Sequence, residues 1–290
     1  MRITLLLLLI LASITVKSQS SYSGNLGKHP IQLIMYDNSN GDYLAYYVYD
    51  KFDTPITING NLKNGELNLF EKDSAENNFA TLTFNDFNEN NKTIEGKWVS
   101  ADKSKNYQIS LNKDFDIDSG DNVEWKSKEL IQSNSTKEHY FKTIITKEKE
   151  NYYARITGVK IFQKMTDKLI QTIKLDCQLF GIDNLSIGDY NFDGLKDFSV
   201  FESSYAGANT SSIYILRNSE SEKYKVSSFS GSSLEFDNES KLINEHNQCC
   251  AGKILTTKTY KVINNEMVFI EQKCLEYNVQ KEDYIETECE

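Results

Sequence analysis

Over residues 22–111 apolar and polar side chains alternate in short runs divided by Gly, Asn and Asp. A period of two sends neighbouring side chains to opposite faces of a strand, and the punctuation supplies turns, so the pattern predicts an antiparallel sheet. Ile31-Gln32-Leu33-Ile34-Met35 and Tyr43-Leu44-Ala45-Tyr46-Tyr47-Val48-Tyr49 are two of its strands, joined by the turn-rich Asp37-Asn38-Ser39-Asn40-Gly41. Asn-Gly accepts positive φ at low cost, here and again at Asn64-Gly65. Further strands are predicted at 56–62, 67–71, 79–84, 94–98 and 107–111, which together make a small barrel or sandwich.

The pattern is interrupted at 114–125 by an acidic stretch read as a linker, and strand-like runs then resume. They lie at 139–146, 152–162, 169–175, 198–201, 212–216, 253–263, 267–277 and 282–288, with Asn264-Asn265 as a hairpin turn and residues 129–133 as at most a short helical turn. The expected organisation is a leader at 1–18, a small antiparallel β domain at 19–113, the linker, and a second β domain at 126–290, all-β throughout.

Residues 1–18 carry Arg2, an apolar run over 5–12, and Val16 and Ser18 at the third and first places before a cut between Ser18 and Gln19. That is the pattern of a secretory signal peptide. The run is far shorter than the ~20 apolar residues a membrane span needs, so the mature chain is expected to be exported, periplasmic or extracellular, with no transmembrane segment. With 39% hydrophobic and 12% aromatic residues the chain has enough apolar surface to fold, which excludes a disordered protein. The formal net charge of −10 excludes nucleic acid as a partner, because neutralising phosphates needs a clustered basic surface.

Specific chemistry enters at Asp189-Tyr190-Asn191-Phe192-Asp193-Gly194-Leu195-Lys196-Asp197, which spells D-x-N-x-D-G-x-x-D. Oxygen ligands at the first, third and fifth places point inward from a curled loop while Gly194 permits the sharp turn, Leu195 offers its carbonyl, and Asp197 binds directly or through water. Hard oxygen donors without His or Cys select Ca2+ over softer metals. Val200 stands where the twelfth-place Glu of a helix-loop-helix calcium hand belongs, and the flanks read as strands. With Ile187-Gly188 before it and Phe198-Ser199-Val200-Phe201 after it, the loop resembles the strand-loop-strand calcium loops of FG-GAP and propeller-type domains.

Val159-Lys160-Ile161-Phe162, Gln171-Thr172-Ile173 and Cys249-Cys250 extend the likeness. Residues 140–277 are similar to calcium-binding, propeller-like periplasmic bacterial proteins that act as immunity proteins or lysozyme inhibitors. The resemblance implies a propeller-like β domain and a loop that enters the cleft of a cell-wall hydrolase or another envelope protein. Its counterpart here is Ser203-Ser204-Tyr205-Ala206-Gly207-Ala208-Asn209-Thr210, with Tyr205, Gly207 and Asn209 as partner-binding candidates and Ala206-Gly207 in place of the Ser-Gly of the related inhibitors. The first half, through Tyr22-Ser23-Gly24-Asn25-Leu26-Gly27-Lys28-His29-Pro30-Ile31, Gly60-Asn61-Leu62, Leu67-Asn68-Leu69-Phe70-Glu71 and Ile94-Glu95-Gly96-Lys97-Trp98, resembles a β domain common in secreted bacterial proteins.

Cys177, Cys249, Cys250, Cys274 and Cys289 all lie in the second half. Export favours disulfides of unread connectivity, and the odd number leaves at least one thiol or an intermolecular bond. A zinc site from His246, Cys249, Cys250 and Cys274 is chemically open, although adjacent cysteines depart from zinc spacing. No catalytic residues are assigned. The expected function is a calcium-stabilised, non-catalytic binding protein that inhibits a lysozyme or peptidoglycan hydrolase. The alternatives are a glycan-binding or adhesion module using Tyr43, Tyr46, Tyr47 and Tyr49, and a glycosidase.

Overall fold

The computed structural model describes residues 19–38, 40–50, 54–117, 124–205, 208–221 and 223–289. The expected signal peptide therefore lies outside the described residues, as do Gly207 and residues 118–123 of the acidic stretch. Eight antiparallel strands close into a barrel: β1 (Gln19–Leu26), β2 (His29–Asp37), β3 (Asp42–Tyr49), β4 (Ile56–Lys63), β5 (Glu66–Lys72), β6 (Asn78–Phe84), β7 (Thr93–Ser100) and β8 (Asn106–Ile117). Each pairs with the next, and β1 closes the ring on β8. β8 continues past residue 113 to Ile117, because Asp114 and Asp116 accept hydroxyls from Ser23 and Ser20 of β1 at 2.7 and 2.5 Å. At Asn64-Gly65 both φ values are positive, 53° and 81°, the backbone a tight hairpin requires.

Barrels of this strand number are just wide enough to be filled by side chains. Leu33, Met35, Tyr43, Ala45, Tyr47, Leu67, Leu69, Leu82, Phe84, Trp98 and Leu111 fill this one. Gly60 lets two strands meet, since a Cβ there would lie 1.8 Å from the carbonyl oxygen of Asn68.

The rest of the described chain forms three antiparallel sheets in sequence. The first, in the order β12-β11-β10-β9, contains β9 (Trp125–Ile131), β10 (His139–Lys147), β11 (Arg155–Gln163) and β12 (Lys168–Gln178). The second contains β13 (Leu185–Gly188), β14 (Asp197–Ser204), β15 (Thr210–Arg217) and β16 (Tyr224–Val226). The third runs from β17 (Leu234–Asp237) and β18 (Leu242–Cys249) through one 3-10 turn (Cys250–Gly252) to β19 (Ile254–Ile263), β20 (Glu266–Asn278) and β21 (Asp283–Thr287). Residues 129–133, expected as a short turn, instead fall largely in β9, because Leu130 and Ile131 are buried and paired with Thr143 and Lys142 of β10. Asn264-Asn265 turns the chain between β19 and β20 with φ values of 53° and 63°.

β2 and β3 are buried on both faces. Leu33, Met35, Tyr43, Ala45 and Tyr47 point into the barrel, while Ile34, Tyr46 and Val48 point out into a second core with Phe141, Ile145, Ile156, Val159, Ile161, Phe198, Val200 and Ile215. Both faces being apolar explains why the sequence runs there read as almost continuous. Tyr43, Tyr46 and Tyr47 are at most 4% exposed, so they form core, not an external aromatic face. The Tyr46 hydroxyl donates to the carbonyl of Ile131 at 2.6 Å and joins the barrel wall to β9. Tyr46→Phe removes the shorter of the two side-chain donors to that buried carbonyl, leaving the Gln132 amide at 3.4 Å, and is expected to lower stability by about 1 kcal/mol. Urea denaturation checks this, and an unchanged midpoint would mean the bridge contributes nothing.

Candidate functional site

The D-x-N-x-D-G-x-x-D loop connects β13 to β14, and its alternation serves two masters. Tyr190 and Phe192 turn outward into a third core with Tyr214, Leu216, Phe229, Phe236 and Ile243. Asp189, Asn191 and Asp193 turn inward. The Asp189 carboxylate accepts the N–H groups of Asp193 at 3.0 Å and Gly194 at 2.9 Å, and Asp193 accepts that of Leu195 at 2.8 Å. Asn191 donates from its amide to Asp193 at 2.9 Å and to the side chain of Asn265, in the β19–β20 turn, at 2.9 Å. The curl needs Gly194 at φ 89° and Phe192 at φ 61°. Four of the five expected ligand positions thus lie in one tightly wound turn.

Asp197, the fifth, is wholly buried at the start of β14. Its two carboxylate oxygens accept the backbone N–H groups of Tyr190 at 2.9 Å and Arg217 at 2.7 Å. Burial pushes its carboxyl up to about 6, against the lowering effect of those two N–H groups, and the nearby charges of Asp193 and Asp189 add to the rise. Among the described residues no Lys, Arg or His forms an ion pair with Asp189, Asp193 or Asp197. Nor do three His, Cys, Asp or Glu side chains among them gather closely enough to hold a metal by themselves. The donor set is nonetheless all oxygen and carries uncompensated negative charge, and each Asp197 oxygen keeps a second lone pair. That chemistry fits a hard cation held by Asp189, Asn191, Asp193 and the Leu195 carbonyl, with Asp197 bracing the loop from below.

β14 leads from Asp197 directly to the second candidate region. Tyr205 is 57% exposed, and its hydroxyl lies 3.3 Å from that of Ser211. Hydrogen bonding to Ser203 and Ser211 lowers its phenol below the ordinary tyrosine value. Asn209 is committed to the fold: its amide accepts the N–H of Gln248 at 2.9 Å and donates to the carbonyl of the same residue at 2.8 Å, like one rung of a β ladder. Gly207 lies outside the described residues.

Beside this connection is an open groove of about 620 Å3, lined by Tyr152, Tyr153, Arg155, Gln178, Phe180 and Ser204 among others. Tyr152, Tyr153 and Phe180 are 47%, 72% and 63% exposed. Tyr152 and Tyr153 meet edge to face, and Phe180 lies against Phe201 of β14 with ring centroids 4.9 Å apart. Gln178 accepts the N–H of Ser204, tying the groove to the end of β14. The strand expected at 152–162 starts instead at Arg155, which leaves Tyr152 and Tyr153 ahead of it. A doublet of aromatics in the polar run Lys149-Glu150-Asn151 was the one signal for it.

The cysteines divide. Cys274 and Cys289 form a disulfide, which removes Cys274 from the zinc set, and His246 faces Glu235 at 3.2 Å instead. Cys177 is buried, and burial pushes its thiol up to about 12.

Asp197→Ala strands the buried N–H of Tyr190 and the half-buried N–H of Arg217 and is expected to cost about 3 kcal/mol in metal-free buffer. Denaturant titration in the presence of a chelator measures this structural share apart from any metal. A variant as stable as the parent would show that Tyr190 and Arg217 find other acceptors. No protein-family model matches the chain, no curated protein matches it, and no solved structure matches it.

Proposed function

We propose that the chain is an exported, calcium-stabilised binding protein without catalytic activity, and that its partner is a lysozyme or another cell-wall hydrolase. The observation that carries the reading is the row of exposed aromatics, Tyr152, Tyr153 and Phe180, beside the β14–β15 connection and Tyr205. Large exposed aromatic side chains grouped with an Arg have the composition of interface hot spots, and a fold gains nothing from leaving them in water. The acidic balance of the chain favours a cationic partner through electrostatic steering. The three successive antiparallel sheets are taken as blade-like units of a propeller-like domain, the architecture that the calcium-loop resemblance implies.

Calcium enters as a brace. When bound it neutralises the carboxylates of Asp189 and Asp193 and holds the turn between β13 and β14, the strand whose far end presents Tyr205. At a hundredfold excess over the dissociation constant a ligand specific for the folded state adds roughly 2.7 kcal/mol. Chelation is therefore expected to lower the melting temperature by several degrees, and Asp193→Ala to erase the difference between Ca2+ and chelator. Differential scanning calorimetry decides this: identical melting curves with and without Ca2+ would remove calcium from the function.

The runner-up reading, glycan binding, is favoured by a different observation. A cavity of about 680 Å3 between the barrel and the first sheet is lined by Tyr49, Tyr140 and Phe162 together with Asp50, Asp114 and Glu129. Tyr140 and Phe162 stack at 5.0 Å, and the Tyr140 hydroxyl donates to Asp167 at 3.0 Å. The two readings separate in one assay. Pull-down from envelope extract, followed by lysozyme inhibition, is expected to weaken at least tenfold with Tyr153→Ala and with Tyr205→Ala, each at unchanged stability, a loss of about 1.4 kcal/mol or more. Retained affinity in both variants, together with binding to peptidoglycan alone, would move the function to the cavity.

A further inference from the structure

Cys249 ends β18 and Cys250 opens the 3-10 turn, and both are exposed. In a strand that simply continued, their Cβ atoms would point to opposite faces. Here the chain leaves β18 through three successive left-handed residues, with φ of 59° at Cys250, 56° at Ala251 and 84° at Gly252. Gly tolerates that region, but the Cβ atoms of Cys250 and Ala251 make it strained for both. The turn follows directly on Cys249, and the neighbouring Cys250 thiol raises that of Cys249 above an ordinary cysteine.

The surroundings hold this turn in place. The Tyr284 hydroxyl donates to the carbonyl of Gly252, Lys253 donates its N–H to the carbonyl of Cys250 at 3.2 Å, and Asn209 grips Gln248, the neighbour of Cys249, on both its N–H and its carbonyl. The remaining cysteines are occupied elsewhere, Cys274 with Cys289 and Cys177 in the second core.

We propose that Cys249 and Cys250 are a reversible redox site that closes a disulfide across the single peptide bond between them. The co-reactant is a small-molecule disulfide of the glutathione type. One cysteine thiolate attacks a sulfur of that molecule, breaks its S–S bond and releases one small thiolate. The neighbouring cysteine, its proton given to water, then attacks the protein-side sulfur of the mixed disulfide and releases the second. The protein's two thiols are oxidised and one small disulfide is reduced to two thiols. Adjacent Cα atoms are about 3.8 Å apart, below the ~4.4–6.8 Å of relaxed disulfides, so such a bond is easily reduced and suits exchange more than permanent cross-linking. Through Gln248 and Asn209 its closure reaches the β14–β15 connection.

The full chain is equilibrated in glutathione buffers of graded redox ratio, quenched in acid, alkylated and cut with trypsin. Cleavage after Lys241 and Lys253 releases residues 242–253, which contain these two cysteines and no others. Under oxidising conditions this peptide is expected to be lighter by two hydrogen atoms and to carry no label, and under reducing conditions to carry two labels. Double labelling at every ratio, glutathione retained on the peptide, or a cross-link to Cys177 would overturn the proposal. Amide exchange at Gln248 tests the reach to the loop: it is expected to slow several-fold on oxidation, and equal rates in both states would overturn that link.

Discussion

The structure depends on the outward faces of β2 and β3. A closed barrel needs nothing outside itself to satisfy its backbone, and its outer wall is ordinarily wet. Here Ile34, Tyr46 and Val48 leave that wall and become one side of a core that also contains Phe141 and Val159 of the first sheet and Phe198 and Val200 of β14. Exposing those faces would strand Tyr46, whose hydroxyl is bonded to Ile131 and lies 3.4 Å from the carbonyl of Ile182. The barrel thus provides the hard surface against which β14 is set. β14 in turn fixes the acidic loop at its start and Tyr205 at its end. Neither candidate region is a loose appendage, and both are placed by side chains far from them in sequence.

Within that frame the acidic loop resolves a conflict between burial and charge. A buried carboxylate is costly unless hydrogen bonds hold it, and Asp197 has one N–H group on each oxygen. Its neighbours Asp189 and Asp193 are taken up by the loop's own N–H groups, so the turn keeps its shape through internal bonds. Tyr190 and Phe192, at the positions between Asp189, Asn191 and Asp193, anchor the same turn in the third core. A cation added to such a loop would stabilise a conformation that already exists, which is the arrangement expected of a brace and not of a switch.

Much of this was legible. Alternation marked the barrel strands because one face of each is apolar, and Asn-Gly and Asn-Asn marked hairpins because both residues accept positive φ. The motif at 189–197 was legible because its spacing encodes which side chains turn inward. Barrel closure was not, since it rests on β1 pairing with β8 from the far end of the domain. β9 was hidden by the charged Lys126-Ser127-Lys128-Glu129, with Ser127 at φ 54° breaking the alternation. β18 was hidden because it is central yet polar: Glu245 is buried there by bonds to Tyr260 and Ser232. For Tyr43 to Tyr49, period two tells which side chains share a face but not that both faces are covered. The aromatic groove draws Tyr152-Tyr153, Phe180 and Ser204 from three separate segments, so no local pattern could announce it.

Asn209 shows how a sequence expectation and a structural role can meet in one residue. Its amide is the right chemistry for a partner contact, and small polar neighbours leave its loop room to move. The structure spends both ends of that amide on Gln248 instead. A residue held this way positions others: it fixes where the connection enters β15, and its carbonyl accepts the N–H of Tyr205 at 2.9 Å. As the residue before β15, it also bonds directly to β18. Gln248, held by that amide, directly precedes Cys249, so the β14–β15 connection and the turn after β18 meet at one pair of residues.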